Sequence, residues 1–238
     1  TDERVYAFKR TLNNEGTHMS FTGSSAQIIS PSALNVDSNF GQSKDSISVM
    51  GDYLVVGAHK SGSNDQGAVY RYRIASVNDI NQWVSSSSQS ILTSSVQAGG
   101  LEDEYYGYSL QLHKNPNTNV TELFVGAPMF HNAGSQTLYG RGGHVYYYTE
   151  SAETRNFVLV QTIVPSITQK GQYFGWSLSA HEDILAVGSP RTGMQNSREG
   201  AVFVFQRNAD GLFEEKQQLF SHDKKQNAFF GGKVKVSG

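Results

Sequence analysis

Three short phrases recur in a fixed order along the chain, and that recurrence restricts the fold more than any other property of the sequence. The first is an aromatic–glycine pair: Phe40-Gly41, Tyr106-Gly107, Phe174-Gly175 and Phe230-Gly231. The second is an apolar run closed by glycine, a small residue and proline or a variant. It reads Leu54-Val55-Val56-Gly57-Ala58-His59, Leu123-Phe124-Val125-Gly126-Ala127-Pro128 and Ile184-Leu185-Ala186-Val187-Gly188-Ser189-Pro190. The third alternates: Gly67-Ala68-Val69-Tyr70-Arg71-Tyr72, Gly143-His144-Val145-Tyr146-Tyr147-Tyr148 and Gly200-Ala201-Val202-Phe203-Val204-Phe205, with a partial copy at Val5-Tyr6-Ala7-Phe8.

The second and third phrases have the physics of short strands. In Val202–Phe205 the valines face one way and the phenylalanines the other, because side chains alternate along a strand. Apolar residues on both faces call for a sheet covered on both sides. Arg71 interrupts its copy and is expected at a sheet edge or in solvent. The aromatic of each first phrase is expected to fill space between sheets, and its glycine to allow close backbone approach. Proline closes the second phrase because it cannot continue a hydrogen-bonded ladder. A looser segment follows each third phrase, at Trp83 to Leu92, Phe157 to Ile163 and Leu212 to Leu219, and supplies a fourth strand. Four-stranded units of roughly 40–50 residues or more, repeated around an axis, predict an all-β propeller. Three complete blades are expected at 39–98, 99–166 and 167–222, with partial blades at 1–38 and 223–238.

Composition agrees with this and excludes several functions. The 24 glycines and 11% aromatic residues suit short strands joined by tight turns. With 19 basic and 21 acidic residues and no basic stripe, a nucleic-acid partner has no electrostatic support. No apolar run approaches the roughly 20 residues of a membrane helix, so no membrane insertion by this segment is expected. Cysteine is absent, which removes disulfides, thiolate metal sites and cysteine nucleophiles.

Phe-Gly followed by Gly-Ala-Pro and then a Gly-x-Val-Tyr-x-Tyr strand resembles the FG-GAP repeat, the unit of the integrin α-type propeller. The resemblance runs from Val5 to Gly238 and implies an extracellular or cell-surface propeller, usually of seven blades. The chain opens in the third strand of one blade and closes after the first strand of another. It is therefore expected to be part of a longer protein, with the remainder or another chain completing the ring.

Candidate sites are few. Calcium-binding repeats of this family carry spaced aspartates between their first two strands. Here that connection is short at Met50-Gly51-Asp52 and at Ala180-His181-Glu182-Asp183. Only Asn115–Glu122 is long enough to hold Ca2+, and its Asn115, Asn117 and Asn119 are neutral and one residue out of register with the family's ligands. No resident cofactor or metal is expected. Asn119-Val120-Thr121 is a sequon at a polar hairpin tip, which makes Asn119 the candidate glycosylation site. Met129, Phe130, His131, Tyr139 and Arg141 lie on the longest excursion after a Gly-small-Pro phrase, and the resemblance places that excursion on a ligand-facing surface. Glu102, Asp103 and Glu104 read as a solvated acidic loop. The histidines show no ligand spacing, and no catalytic constellation is present. These features predict a non-enzymatic module for protein–protein interaction, adhesion or scaffolding. The alternatives are a carbohydrate-binding propeller, using Trp83, Trp176 or tyrosines, and an accessory propeller domain of a larger secreted enzyme. Trp176 aligns with Gln42 and Tyr108 in the sister repeats, which weakens the sugar reading.

Overall fold

The structure is a computed structural model that describes residues 4–7, 10–12, 19–21, 27–29, 38–62, 65–77, 80–85, 91–93, 104–129, 142–169, 171–193, 198–223 and 225–238. Those residues form strands and no helix. The N-terminal part holds β1 (Val5–Ala7) paired with β4 (Gln27–Ile29), and β2 (Arg10–Leu12) paired with β3 (Met19–Phe21). The next sheet has β5 (Ile47–Met50), β6 (Tyr53–Ala58), β7 (Ala68–Val77) and β8 (Ile80–Ser85) in that order, with β9 (Ile91–Thr93) also on β7. A middle sheet follows, of β10 (Ser109–Lys114), β11 (Thr121–Ala127), β12 (His144–Glu150) and β13 (Phe157–Ile163). The last sheet has β14 (Ser177–His181), β15 (Ile184–Ser189), β16 (Ala201–Arg207) and β17 (Phe213–Phe220).

Along β5–β8, β10–β13 and β14–β17 every pairing is antiparallel between neighbours in sequence, so each of these runs is a simple meander. The second phrase of each repeat is its second strand, and β6, β11 and β15 stop at Ala58, Ala127 and Ser189, one residue short of His59, Pro128 and Pro190. The fourth strands carry a bulge at equivalent places. The register skips Val160 opposite Tyr147 and Tyr148, and Lys216 opposite Val204 and Phe205. In the first complete sheet the expected strand from Trp83 to Leu92 is described at its two ends, and residues 86–90 lie outside the described residues. β8 lies along Tyr72–Val77 and β9 along Ala68–Tyr70.

The core lies between sheets. Tyr53, Val55 and Val69 of the first complete sheet meet Tyr106, Leu110, Leu123, Val125 and Tyr146 of the middle one. Phe124, Val145 and Tyr147 point the other way, toward Phe174, Leu178, Leu185, Val187 and Phe203. Leu54 and Val56 turn toward Val5 and Ile29. Ala186 and Val202 face Val234 and Val236. The valine–phenylalanine alternation read from the sequence is therefore the division of each sheet between two neighbours.

The aromatic–glycine pairs supply the joints. Phe40, Tyr106 and Phe174 are buried, each meeting a third-strand aromatic edge-on at 5.3–5.5 Å (Tyr70, Tyr146 and Phe203). Phe230 is half-buried. Gly57, Gly126 and Gly188 sit directly against the carbonyls of Gly107, Gly175 and Gly231 in the following unit, where a Cβ would collide with backbone. Ser109 and Ser177 donate to the Gly175 and Gly231 carbonyls at 2.7 and 2.9 Å, locking the same joint. First strands run side by side. Leu112 N donates to Ser48 Oγ and Val236 N to Ser179 Oγ, both at 3.0 Å.

At the opposite end of the strands, charged side chains bridge the sheets. Arg71 is buried, against the expectation of an edge or solvent position. It donates to the Arg155 carbonyl and to Asn156 Oδ1 at 3.0 Å, with Phe157 at 5.8 Å. A long side chain reaching the next sheet's turn is neutral in its own strand pattern and satisfied in its neighbour's. Arg207 spans the next junction, reaching Glu122 Oε2 at 2.8 Å, Asp183 Oδ1 at 3.0 Å and the Tyr147 hydroxyl at 2.9 Å. Glu104 is also buried rather than solvated, and its carbonyl accepts from Met129 N at 3.3 Å.

Candidate functional site

The aromatic–glycine end carries a feature that no single repeat contains. The residue before each aromatic–glycine pair has a left-handed backbone: Asn39 (φ 56°), Tyr105 (57°), Tyr173 (60°) and Phe229 (54°). Asparagine tolerates that region, whereas tyrosine and phenylalanine occupy it at a cost of order 1–3 kcal/mol. The conformation is held by the turn after each second strand. Lys60 N, Met129 N and Arg191 N donate to the carbonyls of Ser38, Glu104 and Gln172, in the same register in every copy. Gln169 and Gln172 brace the last of these turns, Gln169 Oε1 accepting from Gly193 N at 3.0 Å.

On this frame the rings join across both sheet junctions. Arg191 lies over the Tyr173 ring at 4.5 Å and donates to its hydroxyl at 3.0 Å. Tyr173 stacks on Trp176 at 5.6 Å with planes 10° apart, and Trp176 meets Tyr108 at 4.5 Å. Tyr108 meets His59 at 5.1 Å, His59 meets Tyr105 at 5.2 Å, and Lys60 lies over Tyr105 at 5.9 Å. His59 Nε2 is also 3.2 Å from Asn39 Nδ2. The outcome is a ladder of rings with a cation at each end. Its tyrosines and Trp176 are half-buried, so one side of the ladder is open to solvent. Burial, with Asp45 nearby, pushes the Tyr108 hydroxyl up to about 12, so it stays a neutral donor at ordinary pH.

Residues 157–205 match the FG-GAP repeat family. The matched segment is similar to one FG-GAP repeat. It runs from β13 through β16 and contains Phe174-Gly175, Gly188 and Pro190, and hence the Tyr173, Trp176 and Arg191 arm of the ladder. No curated protein matches the chain.

The long hairpin of the middle sheet holds the other expected residues. Asn119 is exposed at its tip with φ 57°. Asn115 is buried and closes the turn, its Oδ1 accepting from Asn117 N and Thr118 N at 2.9 and 3.0 Å. Glu122 is fully buried, with both oxygens engaged. Asn115 Nδ2 and the Tyr147 hydroxyl donate to Oε1 at 2.8 and 2.7 Å, and His113 and Arg207 approach Oε2 at 3.0 and 2.8 Å. Burial pushes the Glu122 carboxyl up, but the hydrogen bonds outweigh it and hold the group below the usual carboxylate range. A carboxylate already occupied by a guanidinium does not fit a calcium loop, and no cluster of three or more His, Asp or Glu suited to a metal occurs among the described residues. Of the expected ligand-facing loop, Met129 is half-buried beside Glu104, while Phe130, His131, Tyr139 and Arg141 lie outside the described residues.

The sequence reading set Trp176 against Gln42 and Tyr108 as mismatched copies of one pocket. The structure instead brings Trp176 and Tyr108 into contact from adjacent repeats. Tyr105 and Tyr173 were missed altogether. The available signal was variation, since the residues flanking the constant aromatic–glycine pairs change from copy to copy (Asn39 and Gln42, Tyr105 and Tyr108, Tyr173 and Trp176, Phe229 and Gly232).

Proposed function

We propose that this chain is part of a β-propeller acting outside the cell or at its surface as a non-enzymatic protein-interaction module, with the aromatic–glycine end as its docking face. The ladder from Lys60 to Arg191 carries the reading. It is a rigid band of half-buried aromatic residues and arginine, the types enriched at binding hot spots, held by strained backbone on a repeat scaffold. The repeated sheet-to-sheet joints, the side-by-side first strands and the FG-GAP match support a radial arrangement of blades, which the rest of the protein or a second chain would complete. Asn119 faces solvent at the far end of the strands, where a glycan would leave the docking face clear. Stacking of a sugar ring is less well supported, because the tyrosines and Trp176 are already stacked on one another.

The test is affinity capture from extracellular fluid or surface extract of the source organism. The wild-type chain is compared with a Tyr108→Ala/Trp176→Ala double variant of unchanged circular dichroism. A partner protein retained by the first and lost by the second is the expected result. Partners held equally by both would sink the docking-face assignment. Mass spectrometry of the natural protein, with hexose-bearing peptides at Asn119, tests the extracellular setting.

A further inference from the structure

The ladder has an electrostatic character that its sequence conceals. Every ring of the ladder has a neighbour: Tyr173 has Arg191 and Trp176, Trp176 has Tyr173 and Tyr108, Tyr108 has Trp176 and His59, Tyr105 has His59 and Lys60. Rings engaged in this way present edges and polar tips to solvent rather than bare faces. Ring edges carry the positive side of the aromatic quadrupole. The polar tips are tyrosine hydroxyls and an indole N–H, and indole donates only. Lys60 and Arg191 stand at the two ends, both half-exposed. Lys44 is exposed next to Ser43, whose hydroxyl donates to the Tyr108 carbonyl. Of the carboxylates close by, Asp45 is paired with Lys233, Glu104 is fully buried immediately before Tyr105, and Asp65 is half-exposed next to Tyr105. Among the described residues the band therefore offers positive charge and hydrogen-bond donors at its surface, with the half-exposed Asp65 and the buried Glu104 at its Tyr105 end.

Resting on the docking-face reading, we propose that the partner presents an acidic extended segment that lies along this band, its carboxylates reaching Arg191 at one end and Lys60 at the other. Tyrosine hydroxyls and ring edges between those cations take the intervening backbone carbonyls and side chains. A basic segment would meet the same cations as repulsion, and a neutral one would forgo charge-assisted hydrogen bonds, which are about twice as strong as neutral ones. Specificity for acidic sequences follows from like-charge exclusion as much as from attraction.

The test uses the full chain and three decapeptides of glutamate, glutamine and lysine, followed by fluorescence. Trp176 is one of two tryptophans, so a Trp83→Phe background isolates its signal. Deca-glutamate is expected to shift Trp176 emission and to bind about tenfold or more tighter than deca-glutamine at low salt, with deca-lysine inert. Arg191→Gln and Lys60→Gln are each expected to weaken binding about fivefold or more and to flatten its salt dependence. A Lys216→Gln control, with the exchange far from the band on β17, should leave binding unchanged. Equal binding of the glutamate and glutamine peptides, preference for deca-lysine, or indifference to both charge variants overturns the proposal. So does an oligouronate glycan bound much more tightly than deca-glutamate, which would make the partner a carbohydrate. Should the captured protein partner still depend on Tyr108 and Trp176 while deca-glutamate fails, the docking face stands and its acidic preference falls. If neither holds, both fall.

Discussion

Replacing Gly126 by alanine tests the joint on which the stacking of sheets depends. Gly126 has no positive φ, so alanine suits its backbone, and removal of glycine's freedom in the unfolded chain alone would stabilise by about 0.4–1 kcal/mol. The structure predicts the opposite sign. A Cβ there would lie 3.2 Å from the Gly175 carbonyl carbon and closer still to its oxygen and to the Ser109 hydroxyl. Non-bonded heavy atoms settle near 3.5 Å or beyond, so the neighbouring unit must retreat by about 1 Å. Overpacking of this kind costs about 1–3 kcal/mol, and loss of the Ser109–Gly175 hydrogen bond about 1 more. Net destabilisation is about 2–3 kcal/mol, or a fall in Tm of roughly 4–12 °C for a chain of this size. Gly211→Ala is the control. Its surroundings are open, so only the strain of φ 82° remains, about 1 kcal/mol. Urea unfolding of both variants, monitored by far-UV circular dichroism, decides the matter. A neutral or stabilised Gly126→Ala protein, or a Gly211→Ala protein hurt equally, would refute the close-approach argument.

Three further outcomes are expected. Arg207→Met leaves Glu122 buried without its cation and costs about 3 kcal/mol, whereas adding Glu122→Gln restores part of the loss, a coupling that a double-mutant cycle reads directly. Burial lowers the His144 imidazole to about 4, so the folded protein holds it neutral while the unfolded chain takes a proton near pH 6.5. Its contribution is then present above pH 6.5 and lost as pH falls toward 4, and His144→Gln should flatten that part of the stability profile in urea melts. Glu182 opens the β14–β15 turn at φ 50°, where Gly51 opens the equivalent β5–β6 turn at φ 57°. Glu182→Gly should therefore raise stability by about 0.5–1 kcal/mol in the same melts, and a loss would mean that the glutamate side chain matters to the turn.

The strands were legible because they depend on neighbours in sequence. Val202–Phe205 alternates with the period of a strand, β15 ends where Pro190 cannot continue a ladder, and Gly175 is needed where two backbones meet. Each of these is a local rule that recurs along the chain, with His59 and Arg71 as the departures in the first complete copy, so the sequence alone determined the four-stranded unit and its two apolar faces. What lay beyond it were meetings between repeats. Arg71 looked like a break in its strand and proved to be the partner of the next sheet's turn. Glu122 closes the one long first-to-second-strand connection and is held by Arg207, 85 residues away. Tyr108 and Trp176, unremarkable in their own units, form one ladder because adjacent units bring them within 4.5 Å. The sequence determined what each repeat is. Tertiary structure alone decided which side chains of one repeat face those of the next, because that depends on the offset between sheets joined by long, variable loops.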